Sequence, residues 1–257
     1  MLGAIVGFFA GLLGIGGGGI MVPVLTSFFL YKSVPVESVV HIALGTSMAS
    51  IIITSASSLY AHQKRHGVVW SVVKSMVPGI LFGTYMATYI VTFISAKHLA
   101  IFFALFMAYV SIQMFLNIQP KPSRDIPGTL GLISVGGCIG AISAVVAIGG
   151  GSLTVPFLAW NNIPLKRAIG TSAAVGFPIA VAGTIGYLMN GWNNTYQHDY
   201  LFGFIYLPAV VLISLVSYFT APLGVSLAHK LPVPILKKVF AVFLLLLGIK
   251  MLLSITQ

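Results

Sequence analysis

The chain has 257 residues, 58% of them hydrophobic and 6% charged, with a mean hydropathy of +1.05. A soluble domain of this size cannot hide that much apolar surface, and a β-barrel would show short alternating segments, so the composition points to an all-α polytopic membrane protein. The formal charge of +10 would suggest nucleic acid for a soluble protein; here it is read as basic loops beside a bilayer, with no nucleic-acid partner.

Eight apolar stretches follow in chain order, at about 2–30, 38–61, 68–94, 97–116, 129–160, 165–190, 200–228 and 233–255. The first opens with Met1 to Leu13, which lacks the basic n-region of a signal peptide and has a counterpart later in the chain, so it is read as structural. It is broken at Gly16-Gly17-Gly18-Gly19 and resumes through Ile20-Met21-Val22-Pro23. The second carries Ala43-Leu44-Gly45-Thr46-Ser47, the third Met76-Val77-Pro78, and the fourth ends in Ser111-Ile112-Gln113-Met114. The fifth contains a lone cysteine, Cys138, which excludes an internal disulfide, and is broken at Gly149-Gly150-Gly151-Ser152, followed by Leu153-Thr154-Val155-Pro156. Ala168-Ile169-Gly170-Thr171-Ser172, Tyr206-Leu207-Pro208 and Gly248-Ile249-Lys250-Met251 then recur in the order of the first half. The chain is therefore read as a duplicated unit: repeat one over 1–116, a polar cytoplasmic linker over 117–128, and repeat two over 129–257.

A span needs about 20 residues, so 2–30 and 129–160 are too long for one simple crossing. Each arm beside a break is expected to cover about half a bilayer. Each broken stretch is either one kinked crossing helix, giving eight spans and parallel repeats, or a re-entrant hairpin, leaving six spans and inverted repeats. The basic residues arbitrate, because Lys and Arg gather on the cytoplasmic side. Crossing helices split them seven (Lys32, Lys97, Lys166, Arg167, Lys230, Lys237, Lys238) against five (Lys64, Arg65, Lys74, Lys121, Arg124). Hairpins place ten on one side and leave only Lys32, Lys97 and Lys250 on the other. The favoured fold is two inverted-topology repeats, each a Gly-broken re-entrant hairpin plus three transmembrane helices, eight helical segments in all, with both termini outside.

Hairpins from opposite faces bring their tips together near the midplane, where irregular backbone must be buried in protein or line a wet cavity. A helix N-terminus offers unpaired N–H groups and a partial positive charge, so two converging ends make an anion site without a fixed basic residue. The candidate substrate-binding residues are Gly16, Gly17, Gly18, Gly19, Gly149, Gly150, Gly151 and Ser152 at the breaks, with Thr46, Ser47, Thr171 and Ser172 offering hydroxyls. The bland alternatives are close helix packing for the glycines and bonds to the i−4 carbonyl for the hydroxyls. Glu37, Asp125 and Asp199 fall in or near loops, which disfavours a carboxylate relay or a divalent-cation path. Protons, if coupled, ride on the substrate or on His41, which lies one turn after Glu37 and can pair with it. His62 and His66 read as loop residues, and Lys166 and Arg167 as topology anchors that can also attract anions.

These residues resemble the TauE/SafE sulfite exporter family. The resemblance rests on the duplicated Gly-rich stretches ending in Val-Pro, on the two Ala-x-Gly-Thr-Ser runs and on Tyr206-Leu207-Pro208, and it covers essentially the whole chain. It implies a bacterial inner-membrane secondary transporter that exports sulfite, thiosulfate, sulfoacetate or related organosulfonates, driven by the proton-motive force. One departure is Gly19 where the second break has Ser152, so the half-sites are chemically unequal. The expected partners are a small anionic substrate and the lipid bilayer, with no cofactor and no metal; the sequence carries no sign of oligomeric state. An uncoupled channel or an uptake carrier with the same site is the alternative. An intramembrane enzyme is disfavoured, because the chain has no His-Glu-x-x-His and no Gly-x-Ser-x-Gly motif.

Overall fold

The computed structural model describes residues 1–14, 16–116, 125–192, 199–228 and 233–256. Among them are ten α-helices and one short hairpin. The first half holds α1 (Leu2–Leu13), α2 (Gly18–Tyr31), α3 (Val36–Gln63), α4 (Trp70–Val91) and α5 (Ala96–Phe115). The second holds α6 (Thr129–Val146), α7 (Gly151–Trp160), α8 (Leu165–Asn190), β1 (Leu201–Phe202), β2 (Ile205–Tyr206), α9 (Leu207–Ala228) and α10 (Val233–Thr256).

Among the described residues six helices are long and apolar enough to cross a membrane: α3, α5, α6, α8, α9 and the 238–255 stretch of α10. The chain is a multi-pass membrane protein. The α4 helix is as long as α9, but Lys74, with Gly, Thr and Tyr, dilutes its hydropathy. The outer face carries a belt of exposed apolar side chains, among them Phe82, Ile90, Leu105, Leu215, Phe219 and Leu246, suited to lipid rather than water. The apolar windows of α3 and α8 are 83% and 72% buried, against 33–39% for the other four spans, so these two form the central pair.

Both broken stretches stop and restart in the same way. The α1 helix ends at Gly14 (φ 69°) and α2 starts after Gly17 (φ 82°); α6 ends at Ala147 (φ 48°) and α7 starts after Gly150 (φ 74°). Three of these four left-handed positions are glycine, which enters that region without a Cβ penalty. The arms of the first break then fold back on each other, and the second break turns back toward α6. Gly17 lies against Val6, Val24 and Phe28 share a cavity with Leu2 and Gly3, and Gly150 lies against Ile139. The α6 arm departs from the half-bilayer expectation. Its 18 residues rise about 27 Å, nearly a full hydrocarbon core, so by length and composition this arm is long enough to cross, which the 12 residues of α1 are not. The seventh apolar stretch also starts differently, as a β-hairpin pairing Leu201 with Tyr206 before the helix begins.

The arms dock on the opposite half through glycine. Gly3, Gly7 and Gly11 of α1 meet the backbone of Ile213, Ser217 and Ala221 on α9. Gly136 and Gly140 of α6 meet Met76 and Ile80 on α4, while Gly79 and Gly83 meet Ile133 and Gly137. The four-residue spacing keeps these contacts on one helix face, and the missing side chains let backbones touch. Rising numbers pair with rising numbers, so α1 runs parallel to α9 and α6 parallel to α4. The central pair differs: Met48 lies at Gly183, whereas Ser55 and Ser58 share a cavity with Ala173 and Gly176, so α3 and α8 run antiparallel.

Candidate functional site

The two breaks touch. Gly16 packs on Gly149 so closely that a Cβ there would sit 2.8 Å from the Gly149 Cα. Gly18 faces the Ala147 carbonyl, and Gly14 faces Ile169 and Ser172 on α8. The space left between them is about 10 Å³, lined by Gly14, Gly16, Gly149, Gly176, Ser55 and Ser58. That is room for about one water molecule. An oxyanion of four or more heavy atoms does not fit between the tips in this conformation, because backbone already fills the gap.

The roomier cavity lies beside the second break. It has a volume of about 60 Å³ and is lined by Gly151, Ser152, Val155 and Pro156 of α7, Val110, Gln113 and Met114 of α5, Leu165 and Ile169 of α8, and Leu13. Gly151 and Ser152 are the first two residues of α7, whose N–H groups have no acceptor within the helix and sit at its positive end. The Ser152 hydroxyl is buried and has no hydrogen-bond partner. The counterpart in the first half is filled: Gly19, the residue matching Ser152, is packed against Leu244 and Met107. Gln113 was not singled out from sequence. Its only signals were its polarity within the apolar 97–116 stretch and its register match with Lys250.

The threonines of the Gly-Thr-Ser runs are held by the opposite half. Thr46 Oγ1 accepts the backbone N–H of Tyr206 at 3.0 Å, beside Gly45, which abuts the Phe204 carbonyl. Thr171 Oγ1 accepts the N–H of Val69 at 2.9 Å, beside Gly170, which abuts the Gly67 carbonyl. Each Gly-Thr pair thus receives the turn that precedes α9 or α4. Ser172 donates to the Ile169 carbonyl at 2.8 Å and also reaches the Gly14 carbonyl at 3.3 Å, tying α8 to the end of α1. The Ser47 hydroxyl is buried without a partner. His41 bonds the Val91 carbonyl at 3.1 Å and stacks on Phe204 at 5.3 Å. It joins α3 to the end of α4 and to the β-hairpin, in place of the expected pairing with the Glu37 side chain.

The charge is collected at the ends. Gly67 meets Gly170, so the turn that follows Lys64 and Arg65 lies at the same end of the bundle as the start of α8, where Lys166 and Arg167 are exposed beside Leu165 of the cavity wall. Arg65 also donates from Nη1 to the Val225 carbonyl at 2.9 Å in the last turns of α9, where a cation complements the helix dipole. Lys121, Arg124 and Lys230 lie outside the described residues, as does the Lys237 side chain and most of the 117–128 linker. Glu37, Asp125 and Asp199 are exposed, and among the described residues no group of three His, Cys, Asp or Glu gathers.

The chain matches the sulfite exporter TauE/SafE family over residues 1–251. It is 38% identical over 259 residues to a probable membrane transporter protein of Haemophilus influenzae, covering 99% of this chain and 97% of that one. A probable membrane transporter protein of Methanocaldococcus jannaschii is 29% identical over 255 residues, covering 98% and 94%. Another, from Bacillus subtilis, is 23% identical over 273 residues, covering 98% and 95%. No solved structure matches the chain. Two glycine-broken arms pressed tip to tip inside a bundle with a lipid-facing belt, matched over nearly the whole length by transporters, make this chain a membrane transporter, not an enzyme, and a member of the sulfite exporter TauE/SafE family.

Proposed function

We propose that the protein is a secondary transporter that exports small sulfur-containing oxyanions, with sulfite, thiosulfate and organosulfonates as its substrate class. The observation that carries this is the contact of the two breaks, Gly16 on Gly149, beside a buried helix N-terminus that faces a cavity. Unpaired N–H groups and an unpaired hydroxyl suit an oxyanion, which accepts hydrogen bonds on every oxygen.

The proposed topology is two inverted repeats, 1–116 and 129–257, each with a re-entrant hairpin. The antiparallel run of the equivalent helices α3 and α8 supports it, as does the exchange-symmetric docking of α1 on α9 and α6 on α4. Of the described basic side chains, Lys64, Arg65, Lys74, Lys166, Arg167 and Lys238 then fall on one side, six against Lys32, Lys97 and Lys250 on the other. The first side is assigned to the cytoplasm of a bacterial inner membrane and both termini to the outside. The cavity beside α7 adjoins the basic side, while the matching place beside α2 is filled, so this conformation is read as open inward. Alternating access rocks one repeat against the other and exchanges which N-terminus is uncovered. Proton coupling is assigned to a protonated anion such as bisulfite, with His41 held in a packing role by Val91 and Phe204.

Sulfite flux into proteoliposomes, with and without an imposed pH gradient, tests the reading. Gradient-driven flux that Gly150→Leu abolishes is expected, since Gly150 combines a φ of +74° with close approach to Ile179 and Thr154. Flux that ignores the gradient would replace the coupled carrier by a channel or an uncoupled one. Normal flux in a folded Gly150→Leu protein would remove the breaks from the site.

A further inference from the structure

We propose that the cavity at the first turn of α7 is a pocket for one small, singly charged oxyanion, and that Gln113 and Ser152 set its selectivity. The inference rests on the transporter reading above and deepens it by naming the ligand charge and two of its contacts.

Three kinds of donor belong to the residues that line the cavity. The amides of Gly151 and Ser152 lie at the first two positions of α7. Ser152 is 7% exposed and lines the cavity, and its hydroxyl, buried at the cavity wall, has no partner, which a buried polar group rarely tolerates unless a ligand or water completes it. Gln113 brings a carboxamide from α5, across the cavity from α7. Among the described residues the first break has no such set. The residue matching Ser152 is Gly19, closed off by Leu244 and Met107, and the residue matching Gln113 is the exposed Lys250.

The charge of the ligand follows from what the wall lacks. None of the residues lining the cavity is Lys, Arg or His, and the neighbouring Lys166 and Arg167 are exposed, where water and salt screen them. The helix end supplies only about half a positive charge. Hydration energy grows with the square of the charge, so a dianion loses about four times as much as a monoanion on leaving water. Neutral donors and half a charge balance the smaller loss and not the larger, which within the proposed class selects bisulfite and singly charged sulfonates over thiosulfate. A volume of about 60 Å³ exceeds what one water needs and suits an ion with three or four oxygens.

Nitrate and sulfate are the probes, as a monoanion and a dianion of related shape. Nitrate binding to the purified full chain is measured calorimetrically, and both ions are tested as competitors of sulfite flux in proteoliposomes. Nitrate competes and sulfate at equal concentration does not. Ser152→Ala and Gln113→Leu each weaken nitrate binding about tenfold. Ser152→Thr keeps the hydroxyl and restores binding, and Ser134→Ala, on the exposed face of α6, changes nothing. Thermal melts show whether each variant is folded. Sulfate competing as well as nitrate overturns the charge assignment. Unchanged nitrate affinity in folded Ser152→Ala and Gln113→Leu, with wild-type sulfite flux intact, overturns the pocket and leaves the transporter reading standing. Nitrate binding that the two variants abolish, without flux of any anion, keeps the pocket and overturns the transporter reading. Neither binding nor flux in the wild-type protein overturns both.

Discussion

Replacing Thr171 by valine keeps the outline of the side chain and removes one oxygen. That oxygen accepts the Val69 N–H at 2.9 Å, in the seam where the turn before α4 meets the first turns of α8. Without it the N–H has no acceptor in the protein. A fully buried orphan would cost about 1–3 kcal/mol; this seam is part-buried, so water recovers some of the loss and about 1–2 kcal/mol remains. At roughly 2–4 °C per kcal/mol for a chain of this length, Tm falls by about 2–8 °C. Thr46→Val removes the equivalent bond to Tyr206, 3.0 Å long, and is expected to cost the same. The seams share no residues, so the double variant adds within about 0.5 kcal/mol. The assay is a thermal melt of the purified protein beside the KM for sulfite in proteoliposomes. Because both hydroxyls hold backbone, KM stays within about twofold. A raised KM with an unmoved Tm would refute this assignment and return the threonines to the anion site.

Other outcomes follow from the same geometry. Gly7→Val is expected to prevent stable folding, because a Cβ at Gly7 falls 2.6 Å from the Ser217 backbone; Gly128→Ala, with nothing within 4 Å, stays within about 0.5 kcal/mol of wild type in a melt. In a Cys138→Ser background, a membrane-impermeant maleimide applied from outside intact cells labels Lys97→Cys and spares Lys166→Cys; the reverse pattern would invert the proposed orientation. His41→Gln keeps a donor for the Val91 carbonyl, so pH-driven sulfite flux persists, and loss of the pH dependence alone would make His41 a proton carrier.

Much of the architecture was legible because it is written in features that repeat. The two breaks, the Gly-Thr-Ser runs and the long apolar stretches all mark real structural events: left-handed stops at Gly14 and Ala147, restarts after Gly17 and Gly150, and seams at Thr46 and Thr171. Their roles were harder to read. A hydroxyl suits a ligand or a backbone amide equally well, and only the fold shows that Tyr206 and Val69 arrive first. The Glu37–His41 spacing allowed a pair along one helix, but the Val91 carbonyl competes from another, and sequence spacing cannot see it. Gln113 was missed because a single polar residue in an apolar stretch carries no period. The length of α6 was hidden as well, since composition marks where a stretch is apolar and not where its helix starts.

The docking of α1 on α9 and of α6 on α4 has a consequence for how such a chain is assembled. Each arm presents a side-chain-free stripe that its own half does not cover, and each half supplies the complementary groove only to the other. Cutting the chain between 116 and 129 should therefore yield fragments that are degraded when made singly and rescue each other when made together. If the two halves are the inverted repeats proposed above, a one-copy version of this unit could satisfy its stripes only as two molecules inserted in opposite orientations. On that proposed reading, joining the two units in one polypeptide fixes the pairing and lets the two sites differ, as Gly19 and Ser152 do.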